Sequence, residues 1–143
     1  MTVIYPIDDI IERLKIEEGF SSTCYTCSAN QHTIGFGRNI DPSGGMGVSE
    51  AEAEMLLRND IERTIGECKR WSWFDDLDPA RQSVIVQLCF QLGYPRLSNF
   101  NRMLTAMSEK NYYTAAAELL DSRFAEQVPA RANRLANNLR GDA

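Results

Sequence analysis

Three side chains near the N-terminus are of the types, and at the spacing, that acid–base chemistry requires. Glu18 is the penultimate residue of the segment Leu14-Lys-Ile-Glu-Glu-Gly19, Cys27 follows after eight intervening residues, and Thr33 after five more, leading into Ile34-Gly35-Phe36-Gly37. A carboxyl on one side of a cleft can protonate a departing oxygen, while a thiol and a hydroxyl on the other side hold a water. Splitting an acetal such as a glycosidic bond needs that division of labour. A carboxyl at a helix C-terminus faces the negative end of the dipole and here has Glu17 beside it; both favour the protonated form an acid needs. An isolated Glu-Glu-Gly is usually only a solvated helix end, so the whole pattern has to carry the reading.

The elements that must position these groups are predominantly helical. Ile7, Ile10, Ile11 and Leu14 recur at helical spacing, with Asp8 and Asp9 at the start and Gly19 as a stop, predicting a helix over 7–18. Two strand candidates, 24–26 and 33–36, flank the turn-forming Ser-Ala-Asn-Gln, and 39–48 reads as a loop. Ser49 with Glu52 forms a capping box, and Leu57, Ile61, Ile65 and Cys68 give one apolar stripe, predicting a helix over 49–70. Trp71, Trp73 and Phe74 are expected in a core. Asp78-Pro79 opens a helix that is apolar on nearly every side until Gly93, and further helices are expected over 99–107, 112–122 and 129–139.

A chain of 143 residues is the size of one domain that folds without disulfides or metal. Its net charge of −5 argues against a nucleic-acid partner, and no apolar run reaches membrane-spanning length. The charge is uneven. Residues 1–71 hold seven Lys and Arg against twelve Asp and Glu, whereas the remainder is balanced, leaving Arg123, Arg131, Arg134 and Arg140 as a candidate basic patch. The N-terminus does not read as a signal peptide, so the four cysteines are expected to be reduced thiols. Cys24 and Cys27 form a C-x-x-C pair without a second pair at similar spacing, which disfavours zinc.

The triad spacing, together with Val48-Ser-Glu-Ala-Glu-Ala-Glu54, Phe90-Gln-Leu-Gly93 and Ser122-Arg-Phe-Ala-Glu-Gln-Val-Pro-Ala-Arg131, resembles the phage-type lysozyme family of glycoside hydrolases over essentially the whole chain. The resemblance implies an α+β, mostly α, two-lobed fold. A small β-hairpin region would lie in an N-terminal lobe over 1–48, the helix over 49–70 would join the lobes, and 71–143 would form a helical C-terminal lobe. It implies Glu18 as general acid, Cys27 in the position of the usual water-activating aspartate, and Thr33 as a water-placing group. Arg131 would pair with the catalytic glutamate, and Phe90 and Gln91 would face the sugar chain.

No metal or organic cofactor is implied. The activity implied is that of an endolysin, an N-acetylmuramidase cleaving the β-1,4 bond between N-acetylmuramic acid and N-acetylglucosamine of bacterial peptidoglycan during host-cell lysis. Such a protein acts as a monomer, without membrane insertion or nucleic acid. It is made in the host cytoplasm and reaches the wall in the periplasm after release by a separate holin-type membrane protein. Cys27 departs from the usual aspartate: an ordinary thiol, with a pKa of about 8.5, is the poorer base at neutral pH. A Cys24–Cys27 disulfide would remove the sulfur and silence the enzyme. Two alternatives stay open, a lytic transglycosylase and a non-catalytic cell-wall-binding module.

Overall fold

The computed structural model describes residues 5–18, 21–26, 32–35, 38–39 and 48–141, the three short segments between 21 and 39 by their backbone alone. The described chain is mostly helical and divides into two compact units, Ile7–Arg63 and Thr64–Ala143, the latter joined by Met1–Pro6.

In the first unit, α1 (Ile7–Glu18) carries Asp8 and Asp9 in its first turn, where acidic side chains meet the positive end of the helix, and buries Ile10, Ile11 and Leu14. Helix α2 (Glu50–Cys68) starts at the capping box: the Ser49 backbone N–H donates to Glu52 Oε1 at 3.2 Å, and the Glu52 N–H donates to Ser49 Oγ at 3.1 Å. Ala53, Leu57 and Ile61 are its buried apolar residues in this unit, and Asp60 is buried beside them. Two ion pairs, Lys15–Glu54 at 3.0 Å and Arg58–Asp8 at 2.7 Å, link α1 to α2 with opposite chain directions. Both are partly exposed, so burial of the aliphatic faces does most of the stabilising.

Between these helices the backbone forms β1 (Ser21–Thr26), β2 (His32–Gly35) and β3 (Arg38–Asn39), antiparallel in the order β1-β2-β3. Thr33 sits on the central strand, opposite Tyr25 on one side and Asn39 on the other. The β1–β2 register is irregular between Ser21 and Tyr25.

In the second unit, α3 (Pro79–Leu92) is the interior helix, with every residue from Gln82 to Cys89 buried. Asp78 caps it, accepting from the Arg81 N–H, and Pro79 occupies the first helical position, where no N–H is needed. Helix α4 (Tyr94–Leu97) follows at Gly93, whose φ of 84° suits only glycine well. Helices α5 (Asn101–Ser108), α6 (Tyr112–Leu120), α7 (Arg123–Gln127) and α8 (Pro129–Arg140) complete the unit, α8 packing on α3, α6 and α7.

Several boundaries differ from those expected from sequence. The expected helix over 112–122 ends at Leu120, because Ser122 turns away to cap α7, its Oγ accepting from the Ala125 N–H at 3.2 Å. The one-turn helices α4 and α7 and a 3₁₀ turn at Phe74–Asp76 were not anticipated, since one turn is too short to show a period. Of the aromatic cluster only Phe74 is fully buried; Trp71 and Trp73 are half-buried and stack on each other, their ring centres 5.6 Å apart. Tyr94 lies against Trp71 at 4.9 Å, with the Arg70 guanidinium 4.8 Å from the Tyr94 ring centre. Tyr5 explains why the first residues belong with this unit: its hydroxyl donates to Asp75 at 2.7 Å and its ring lies 6.0 Å from Phe74.

Candidate active site

Two groups of the sequence-derived site residues fall in the first unit. Glu18 is the last residue of α1, half-buried, and Thr33 lies on β2 with strands on both sides. Cys27 and the side chain of Cys24 lie outside the described residues, as does the side chain of Thr33.

Phe90, Gln91 and Arg131 fall in the second unit. Phe90 and Gln91 occupy the last turn of α3, the former half-buried and the latter exposed. Arg131 is the third residue of α8, only 7 % exposed, and its Nη1 donates to Gln91 Oε1. The first turn of a helix is the wrong end for a cation, and burying a guanidinium adds a desolvation cost. The hydrogen bond to Gln91 offsets part of that cost.

Two further features were not legible as sites. A cavity of about 560 Å³ in the second unit is lined by Arg96, Arg102, Arg123, Glu118, Phe100 and Phe124 among others. Of these only Arg123 had been flagged by its charge; Arg96, Arg102 and Phe100 come together only when α4, α5 and α6 pack. Cys68 and Cys89, far apart in sequence, are both buried and free. The hydrogen bond with Cys89, reinforced by burial, holds the Cys68 thiol well above the ordinary thiol range, which makes it a packing group rather than a nucleophile. Among the described residues no three His, Cys, Asp or Glu side chains gather to hold a metal ion. No helix among them is long and apolar enough to cross a membrane.

A family model described as phage lysozyme matches residues 15–137, a span that contains Glu18, Cys27, Thr33, Phe90, Gln91 and Arg131. The chain therefore belongs to the phage lysozyme family. It is similar to a protein named probable T4-type lysozyme 2 of Dictyostelium discoideum, 26 % identical over 156 residues, which cover 90 % of this chain and 92 % of that protein. Probable T4-type lysozyme 1 of the same organism is 24 % identical over the same shares.

Proposed function

We propose that the protein is a muramidase that hydrolyses the β-1,4 bond between N-acetylmuramic acid and N-acetylglucosamine in bacterial peptidoglycan. The observation that carries the reading is the family match enclosing Glu18 at the end of α1 together with a buried arginine in the first turn of α8. In this reading the two units are the lobes of a lysozyme architecture, with the small β region in the N-terminal lobe and α2 as the connection.

Glu18 donates its proton to the glycosidic oxygen as the C–O bond breaks, and charge develops on the anomeric carbon and ring oxygen. The family resemblance gives Arg131 the role of the cation that stabilises the carboxylate left after proton transfer. A water oriented by Cys27 and Thr33 attacks the opposite face, its proton passing to the Cys27 thiolate or to solvent. Attack opposite the departing group inverts the anomeric centre. Phe90 and Gln91 line the glycan path. With relatives in Dictyostelium, the resemblance carries the chemistry rather than the carrier. In a phage the same enzyme would act in host lysis as a monomer, after release by a separate holin-type membrane protein.

The test is release of soluble fragments from purified peptidoglycan by the reduced protein and by Glu18→Gln. Loss of release by about a thousandfold or more, with circular dichroism unchanged, supports Glu18 as the acid. Full activity of the variant removes Glu18 from the mechanism.

A further inference from the structure

The cavity of about 560 Å³ in the second unit gathers charge from four helices. Arg96 comes from α4, Arg102 from α5, Arg123 from α7 and Glu118 from α6. The three arginines are exposed, and among the described residues none of them forms an ion pair, a side-chain hydrogen bond or a ring contact. Arg13, Arg58 and Arg81, by contrast, each meet a carboxylate at 2.9 Å or less. Three guanidinium groups against one carboxylate leave two positive charges in excess around one hollow, where an anion would relieve their mutual repulsion. The same hollow has an apolar wall, since Phe124 is buried and Phe100 half-buried, and Asn99 and Asn101 add amide donors and acceptors. Its volume falls in the range of about 300–1,000 Å³ that small-molecule sites occupy.

We propose that this cavity is a binding site for a sugar phosphate, with the phosphate monoester held by Arg96, Arg102 and Arg123 and the sugar ring against Phe100 and Phe124. A carboxylate has two oxygens in one plane and takes one guanidinium fork well. A phosphate monoester has three oxygens splayed apart, which suits forks arriving from three different helices. Its charge of about −1.5 to −2 at neutral pH also matches the excess in the cavity, whereas a diester carries less charge and one oxygen fewer to accept. The C–H face of a pyranose packs on an aromatic ring, and its hydroxyls find partners in Asn99, Asn101 and the Glu118 carboxylate. None of Glu18, Cys27, Thr33, Phe90, Gln91 and Arg131 lines the cavity, so the inference goes beyond the muramidase reading and does not depend on it.

The experiment is titration calorimetry of the full chain at one fixed ionic strength with three probes: glucose 6-phosphate, glucuronate, which puts a carboxylate at the same ring position, and inorganic phosphate. Glucose 6-phosphate is expected to bind at least about tenfold more tightly than either of the others, because only it offers both the three-oxygen anion and the ring. Arg102→Gln and Arg123→Gln should each weaken it by about tenfold or more, the worth of one charge-assisted hydrogen bond. Glu118→Gln should not weaken it as they do, since the amide keeps a partner for the hydroxyls and removes the one negative charge. Arg13→Gln, which changes net charge equally but lies in the other unit, should leave the affinity as it is. No heat of binding with glucose 6-phosphate overturns the inference, as does an equal loss in Arg13→Gln and Arg102→Gln, which would mean a diffuse charge effect. Equal affinity for glucuronate overturns the choice of phosphate, and equal affinity for inorganic phosphate removes the sugar; the inference fails in either case.

Discussion

The guanidinium of Arg81 lies 3.9 Å from the centre of the Tyr112 ring, so a side chain from the first turn of α3 reaches the first residue of α6. The same group donates through Nε to the Leu139 carbonyl at 2.7 Å and through Nη1 to Asp78 at 2.9 Å. Leu139 lies in the last turn of α8, where carbonyls have no partner within the helix, so Arg81 caps α8 while resting on α6. Arg81→Ala is expected to lower stability by about 1–3 kcal/mol, and Arg81→Lys to recover only part, because an ammonium lacks the planar fork. Urea unfolding checks this; an unchanged midpoint for the alanine variant contradicts it.

Cys68 gives the fold an alkaline sensitivity. Its thiol is held up by the hydrogen bond with Cys89 and by burial, so the folded state keeps a proton that the unfolded chain releases above about pH 9. The associated stability is therefore complete below that pH and declines as pH rises towards the folded value. The melting temperature should fall between pH 9 and 10.5 more steeply for the wild type than for Cys68→Ala, although the variant starts lower because of its cavity. Parallel pH profiles for the two proteins would remove Cys68 as the cause.

Cys27 governs the rate in the proposed mechanism. A thiol titrating near its ordinary value of about 8.5 is largely protonated at neutral pH, whereas an aspartate of about 3.9 is ionised. Cys27→Asp is expected to raise kcat at pH 6 by about tenfold or more and to shift the optimum to lower pH, because a base is then available at a pH where an ordinary thiol is still protonated. An unaltered pH–rate profile would mean that Cys27 handles no proton.

Much of the scaffold was legible because local signals agreed with burial. The Ser49–Glu52 capping box was read from two residue types and forms both of its hydrogen bonds. The all-round apolar stretch from Val84 to Phe90 read as an interior helix, and Gln82–Cys89 are buried. Short turns such as Tyr94–Leu97 gave no signal because one turn contains no repeat. The partnership of Gln91 with Arg131 was equally silent. Both residues were marked by resemblance, but they are 40 positions apart, and a hydrogen bond between helices leaves no trace in composition or period. Cys68 was read as one member of a stripe, and its meeting with Cys89 follows only from how α2 and α3 pack.

The most direct test of the central claim is mass spectrometry of the fragments released from purified peptidoglycan by the reduced protein in water enriched in oxygen-18. The account predicts reducing N-acetylmuramic acid ends that carry the heavy oxygen and vanish with Glu18→Gln, because solvent water is the attacking group. Anhydro-muramic ends without the label would make the protein a transglycosylase, and no fragments at all would make it a binding module; either result contradicts the account.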